Sequence, residues 1–341
     1  MIRSLRPHAP RDRGGFTLVE MLVTVTIVAI LAAAVFGAMA AAQNTAKIAK
    51  TRTTIAKLHR LIMARYESYK TRRIPIDMTF QVGTTNYITT PLTPQEMAMV
   101  RLEAIREIMR IEMPDRAADV VNLPTSGAVG SFSSSGWAKL SRDASLRKMQ
   151  RTSISDAYYI YWQQQESQGR RWREDAANTY TSAECLYMIV TMACPGGREQ
   201  FAENEIDDVD HDGWPEFVDG WGRPIFFCRW APGFIPANGA DTVLQSGNPT
   251  LQHDPFDTQK VDSAAYQLIP LIYSAGPDNE SHIVVLNASK YSSWLSSGAR
   301  TPYTLKDANN RLQGQPGDYD KPGSTALKHF DNIHNHRLDV R

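Results

Sequence analysis

The hydrophobic pattern of this chain changes period three times. From Phe16 to Ala42 it is apolar almost without interruption, and Glu20 is the single charge. At about 1.5 Å per residue such a helix is roughly 40 Å long, enough to cross a bilayer with some tilt. From Gln43 to Lys70 there is no proline or glycine. Ile48, Ile55, Leu58, Ile62 and Tyr69 recur at helical spacings, while Lys47, Lys50, Arg52, Lys57, Arg60 and Arg65 take the other positions. The spacing predicts an amphipathic continuation of the same helix, with Pro75 marking its end.

Residues 71–200 read as a mainly helical segment. Thr93-Pro94-Gln95-Glu96 has the form of a capping box with proline at the first helical position, and the helix it opens ends before Pro114. Ser126 to Gly136 is a small, polar loop. Ser155–Gln168 predicts another helix. Thr181-Ser182-Ala183-Glu184 resembles a second capping box, leading into a helix that is apolar almost all round and therefore expected to be buried. Residues 201–306 change character again. Pro224–Trp230, Ala264–Ser274 and His282–Asn287 are short apolar or β-branched runs bounded by turn residues, which predicts strands. Pro270 demotes its run to an edge strand or a bulge. Residues 231–262 read as a long loop, and 307–341, which hold His329, His334 and His336, as a loose polar tail.

Charge and cysteine usage narrow the function classes. The formal net charge is +1, and residues 1–15 carry four Arg against Asp12. Without that leader the chain is near −2, so no basic surface points to nucleic acid. The basic leader before an apolar run predicts a cytoplasmic N-terminus and an exported remainder. Ala38-Met39-Ala40 and Ala40-Ala41-Ala42 could imitate a signal-peptidase site, but an ordinary secretory signal has a shorter apolar core. Cys185 and Cys194, nine apart on a helix, fall on opposite faces and do not pair there. One of them with Cys228, or three buried thiols outside any disulfide, are the two readings. No Ser–His–Asp arrangement, paired acids or zinc-type spacing is present, which argues against an enzyme. Trp214, Trp221 and Trp230 beside a strand read as core rather than as a carbohydrate platform.

Glu20 is the informative charge. A carboxylate within a membrane-length helix costs about 2.5–3.5 kcal/mol at a helix centre. It becomes tolerable when an ammonium on a neighbouring helix pairs with it, and the pair then specifies register. Gly15-Phe16-Thr17-Leu18-Val19-Glu20 resembles the processing site of type IV prepilins and type II secretion pseudopilins. The resemblance implies removal of residues 1–15 by a prepilin peptidase cutting after Gly15, methylation of the new amine on Phe16, and pairing of Glu20 with the terminal amine of a neighbouring subunit. It also implies an inner-membrane location before assembly, and as partners other copies, related pilin-like subunits, and an inner-membrane assembly platform with its ATPase.

The second informative stretch is Asp207–Pro224. Asp208, Asp210 and Asp212 alternate and Gly213 follows, the first half of an EF-hand-type loop. Counting Asp208 as position one, Trp214 offers a backbone carbonyl at position seven, Glu216 stands at nine and Asp219 at twelve. These oxygen ligands predict a structural calcium site; a solvated acidic turn is the alternative. Asp219-Gly220-Trp221-Gly222-Arg223-Pro224 and Ser274-Ala275-Gly276-Pro277-Asp278 resemble segments flanking the C-terminal sheet of major pseudopilins, where the resemblance likewise implies calcium. The long 71–200 segment departs from those small subunits, and Glu20 disfavours the largest minor subunit, which usually lacks that acid.

Together these readings predict an α+β, pilin-like fold: a long N-terminal spine helix packed on a small antiparallel β-sheet, with a helical insertion. The organisation expected is leader 1–15, transmembrane and assembly helix 16–42, spine continuation 43–70, insertion 71–200, β-rich region 201–306 and tail 307–341. The expected function is that of a structural subunit of a pseudopilus or pilus-like filament. A membrane-anchored binding or hydrolytic domain that borrows the export signal is the competing reading.

Overall fold

A helix with an apolar stripe needs a surface to cover it. In the computed structural model, which describes residues 15, 17–74, 79–82, 85–88, 93–121, 152–172, 180–235, 245–296, 301–316 and 331–337, the stripe in the second half of α1 (Leu18–Ser68) finds one. Residues 1–14 of the leader, Phe16, Pro75, the loop 126–136 and His329 lie outside the described residues. The chain divides into two compact units, residues 1–46 and 47–341. In the first, the apolar residues of α1 from Leu18 to Met39 are exposed. In the second, Thr51, Thr54, Ile55, Leu58, Ile62 and Tyr66 of α1 are buried. The predicted stripe is present, with Ile48 at its partly buried margin.

The helical face expected to be solvated is partly occupied instead. Lys57 donates to Glu205 Oε2 (2.8 Å) and Thr54 to Glu205 Oε1 (2.6 Å). Arg65, Tyr69 and Arg72 converge on Glu112, which is fully buried. These carboxylates tether the spine to the rest of the unit. At the other side, the Gly220 amide donates to Thr51 Oγ1 (2.9 Å). A Cβ at Gly220 would stand 2.3 Å from the Lys47 carbonyl, so only glycine allows the loop to lie against the helix backbone.

The segment after α1 is not wholly helical. β1 (Thr79–Val82) and β2 (Thr85–Ile88) form an antiparallel hairpin. α2 (Pro94–Glu112) opens with the predicted capping box: Glu96 N–H donates to Thr93 Oγ1 (3.2 Å), and Thr93 N–H to Glu96 Oε2 (2.9 Å). α3 (Ala117–Val121), α4 (Ser153–Ser167) and α5 (Thr181–Met192) follow. α5 is buried on most sides, as its composition predicts, and packs across β4 (Glu216–Phe217) and β5 (Phe226–Cys228). β4 pairs antiparallel with β3 (Ile206–Asp207).

The main sheet runs β5–β6–β7, all antiparallel, with β6 at Leu271–Ser274 and β7 at Ile333–His334. Two expectations change here. His282–Asn287 is not a strand; Ile283 makes only an isolated bridge to Pro316, and α6 (Ala288–Ser296) begins directly after. The third strand comes from the segment read as a loose tail. Phe226 lies opposite Tyr273, and Tyr273 opposite His334. β6 is therefore central, not an edge. Pro270 is tolerated because it precedes the strand, so the ladder loses no N–H there, and its carbonyl accepts from Asn335 Nδ2 (2.8 Å). Trp214 and Trp230 are buried core residues and Trp221 packs against the core. Cys185, Cys194 and Cys228 are buried thiols outside any disulfide.

His336, in the turn after β7, is buried, and its ring lies edge-on to Phe234 at 5.1 Å. Burial first, then His334 and His59, push its imidazole down to about 3. The native state thus keeps His336 neutral, while an unfolded chain takes up a proton below the usual 6.5. Stability from this group is complete above pH 6.5 and is lost as pH falls toward 3. In urea titrations, the parent should lose about 2 kcal/mol relative to His336→Leu between pH 7 and pH 5. Parallel pH profiles for the two proteins would contradict this.

Candidate functional site

Two places gather the residues singled out in the sequence. In the first unit, Gly15 is exposed, and Thr17 stands at the entry to α1. Thr17 N–H and Oγ1 both donate to Glu20 Oε2 (2.8 and 2.9 Å), and Glu20 N–H donates to Thr17 Oγ1 (3.3 Å). This is a reciprocal helix cap. Sequence reading treated Glu20 as awaiting a partner and missed that T-L-V-E spells its own cap. Within a single chain the carboxylate is thereby held at the helix start. α1 is long and apolar enough to cross a membrane, and no part of its most apolar window is buried. A contiguous exposed apolar surface of this extent is the kind that marks a membrane-contact or protein-contact surface.

The second place lies in the loop between β3 and β4. Its backbone folds around its own carboxylates, because each aspartate accepts from amides that the turn directs inward. Asp212 N–H donates to Asp208 Oδ1 (3.1 Å), Gly213 N–H to Asp208 Oδ2 (3.0 Å), and Trp214 N–H to Asp212 Oδ1 (2.9 Å). Gly213 has φ +94°, the left-handed conformation required at the sixth position. Glu216 Oε2 accepts from Val209 N–H (3.1 Å) and so folds back over the loop.

Five carboxylates meet here, in two groups that share Asp210. Oxygens of Asp208, Asp210 and Glu216 lie within 4.8 Å of one another, and so do those of Glu184, Asp210 and Asp212. Glu184 comes from the first turn of α5 and is 2% exposed. Sequence reading assigned it to a capping box. The helix begins instead after Tyr180 with no side-chain cap, and Glu184 turns into the acidic cluster. The available signal was an acid within an otherwise apolar helix, the same signal that distinguishes Glu20.

The electrostatics of this group are unfavourable as it stands. Burial first, then Asp212, Glu216, Asp210 and Asp208, push the Glu184 carboxyl up to about 10. Burial, with Asp210, Asp208 and Asp212, raises Glu216 to about 8 against the Val209 amide. Asp212 rises to about 6, from burial and then Asp210 and Asp208 against the Trp214 amide. Among the described residues, none of the five forms an ion pair with Lys or Arg. Buried Glu184 Oε2, Asp212 Oδ2 and Glu216 Oε1 have no hydrogen-bond partner among the described residues. An all-oxygen donor set with three unpartnered buried oxygens fits a hard divalent cation.

Asp219 is not brought to this group. Its Oδ1 accepts from Trp221 N–H (2.7 Å) and Arg223 N–H (3.0 Å), and its Oδ2 from the Ser274 hydroxyl (2.6 Å). The EF-hand-like count breaks after position nine because β4 starts at Glu216. The extended chain carries Asp219 onward to pin the following turn to β6. Trp214 joins the loop through its amide, while its indole is buried and stacks on Trp172 (4.4 Å between centroids).

No curated protein and no solved structure matches the chain. Residues 10–36 match the family model described as the prokaryotic N-terminal methylation motif. The chain thus carries a prepilin-type methylation motif that runs into a long spine helix with an apolar first half, an arrangement consistent with the pilin-like superfamily in general.

Proposed function

We propose that this protein is a structural subunit of a type II secretion pseudopilus or type IV pilus-like filament. The observation that carries the reading is the junction at Gly15–Glu20, followed by an apolar helix whose large side chains from Leu18 to Met39 are exposed among the described residues. Subunits wait in the inner membrane with the C-terminal region outside the cytoplasm. Prepilin peptidase removes residues 1–15, Phe16 becomes the methylated N-terminus, and an assembly platform with its ATPase moves subunits into the filament. There the apolar helices of other copies and related subunits replace lipid around α1. Glu20 exchanges its cap on Thr17 for the amine of a neighbour, which fixes the axial register. The role is architectural rather than catalytic.

The loop of β3–β4 supports a second part of the proposal, a structural calcium ion held by Asp208, Asp210, Asp212 and Glu216, with the Trp214 carbonyl as the expected backbone ligand. Calcium, when bound, neutralises carboxylates that otherwise repel one another.

Glu20→Ala tests the assembly reading. Cleavage after Gly15 should remain largely intact, measured by the mass of the membrane-bound chain, while recovery in sheared filaments should fall at least tenfold. Normal incorporation of the variant removes Glu20 from the mechanism.

A further inference from the structure

We infer that the acidic centre is a bipartite divalent-cation site, in which Glu184 of α5 supplies a ligand and the bound ion pins the helical insertion to the β3–β4 hairpin. The inference rests on the calcium reading above and goes beyond it, because it moves the site from a self-contained loop to a joint between two parts of the fold.

Geometry carries it. The loop alone offers Asp208, Asp210 and Asp212 and, folded over them, Glu216, but the acid at position twelve is engaged elsewhere with both oxygens. Calcium takes six to eight oxygens, and with Asp219 engaged elsewhere a carboxylate from outside the loop would fill part of that shell. Glu184 stands where it is needed, with an oxygen within 4.8 Å of those of Asp210 and Asp212. It is buried, and its Oε2 has no hydrogen-bond partner among the described residues. A buried carboxylate oxygen aimed at two other carboxylates is strongly unfavourable unless a cation lies between them. Arg170, whose stem lies over Gly213, donates from Nη1 to Gln165 Oε1 (2.8 Å) and, among the described residues, forms no ion pair with these carboxylates. Because Asp210 belongs to both acidic groups, an ion beside it touches the hairpin on one side and α5 on the other.

A purely structural glutamate and a metal ligand respond oppositely to neutralisation. The full chain in detergent micelles is titrated with calcium chloride after EDTA treatment, following calorimetric affinity, thermal midpoint and hydrogen exchange. In the parent, calcium should slow exchange in both residues 181–192 and 206–217. Glu184→Gln should melt higher than the parent in EDTA, bind calcium at least tenfold more weakly, and lose the calcium-dependent protection of 181–192 while keeping that of the hairpin. Glu184→Asp keeps the charge but withdraws it by one methylene, and should weaken binding while leaving the EDTA midpoint near the parent's. It decides the matter if the glutamine variant misfolds. Parent-like affinity and helix protection in these variants would overturn the bridging role while leaving the loop site standing. A parent that does not respond to calcium at all would overturn the loop site and this inference together.

Discussion

Arg229→Leu should destabilise the second unit by about 3–5 kcal/mol. Arg229 is fully buried at the end of β5. Its backbone N–H donates to Asp115 Oδ2 (3.0 Å), its Nη1 to Asp119 Oδ2 (2.8 Å) and to the Met113 carbonyl (2.8 Å), and its Nη2 to the Tyr291 hydroxyl (2.9 Å). Asp119 also accepts from Arg110 Nη1 (2.9 Å) and from Tyr291 (2.6 Å). Burial alone would raise the Asp119 carboxyl, but Arg229 and then Arg110 outweigh it and hold the group at about 2. Removing Arg229 leaves Asp115 and Asp119 buried with far less compensation, which is the costly way to break a buried ion pair. The network ties α2 and α3 of the insertion to the sheet and to α6, so its loss should loosen the insertion. A midpoint shift in urea corresponding to less than about 1 kcal/mol would show that water reaches these carboxylates.

Asp210→Ala combined with Asp212→Ala should abolish the response of the protein to calcium. For the parent, an ion present at about 100 times its dissociation constant adds roughly 2.7 kcal/mol, equivalent to about 5 °C in thermal midpoint for a unit of this size. In EDTA the order should reverse, with the variant at or above the parent, because two of five mutually repelling carboxylates are gone. Scanning calorimetry with and without chelator reads both signs. If EDTA leaves the parent unchanged, the cluster is a solvated turn.

What the sequence disclosed was local. The motif from Gly15 to Glu20 was legible because its residues are adjacent in the chain, although the Thr17–Glu20 cap inside it was not read from them. The stripe from Ile48 to Tyr69 was readable from period, and Thr93-Pro94-Gln95-Glu96 from cap chemistry. What stayed hidden depends on distant partners. T-S-A-E satisfies the capping pattern whether Glu184 caps a helix or faces an aspartate loop some 25 residues on. Arg229 and Asp119 look like surface charges until 110 residues of chain bring them to 2.8 Å. HIVVLN has strand composition, yet the ladder position beside β6 goes to Ile333–His334, whose two residues carry no strand signal of their own. Asp219 shows the converse error, in which a positional template outran the local backbone. Once β4 begins, residue counting no longer tracks distance from the ion.

Everything proposed for α1 requires it to serve first as a membrane anchor and then as the contact between copies. Mass spectrometry of the N-terminal peptide from sheared, purified filaments tests both at once. The account predicts a chain starting at N-methylated Phe16, recovered in assembled material. A chain beginning at any other residue, or one confined to the membrane fraction as a monomer, would contradict it.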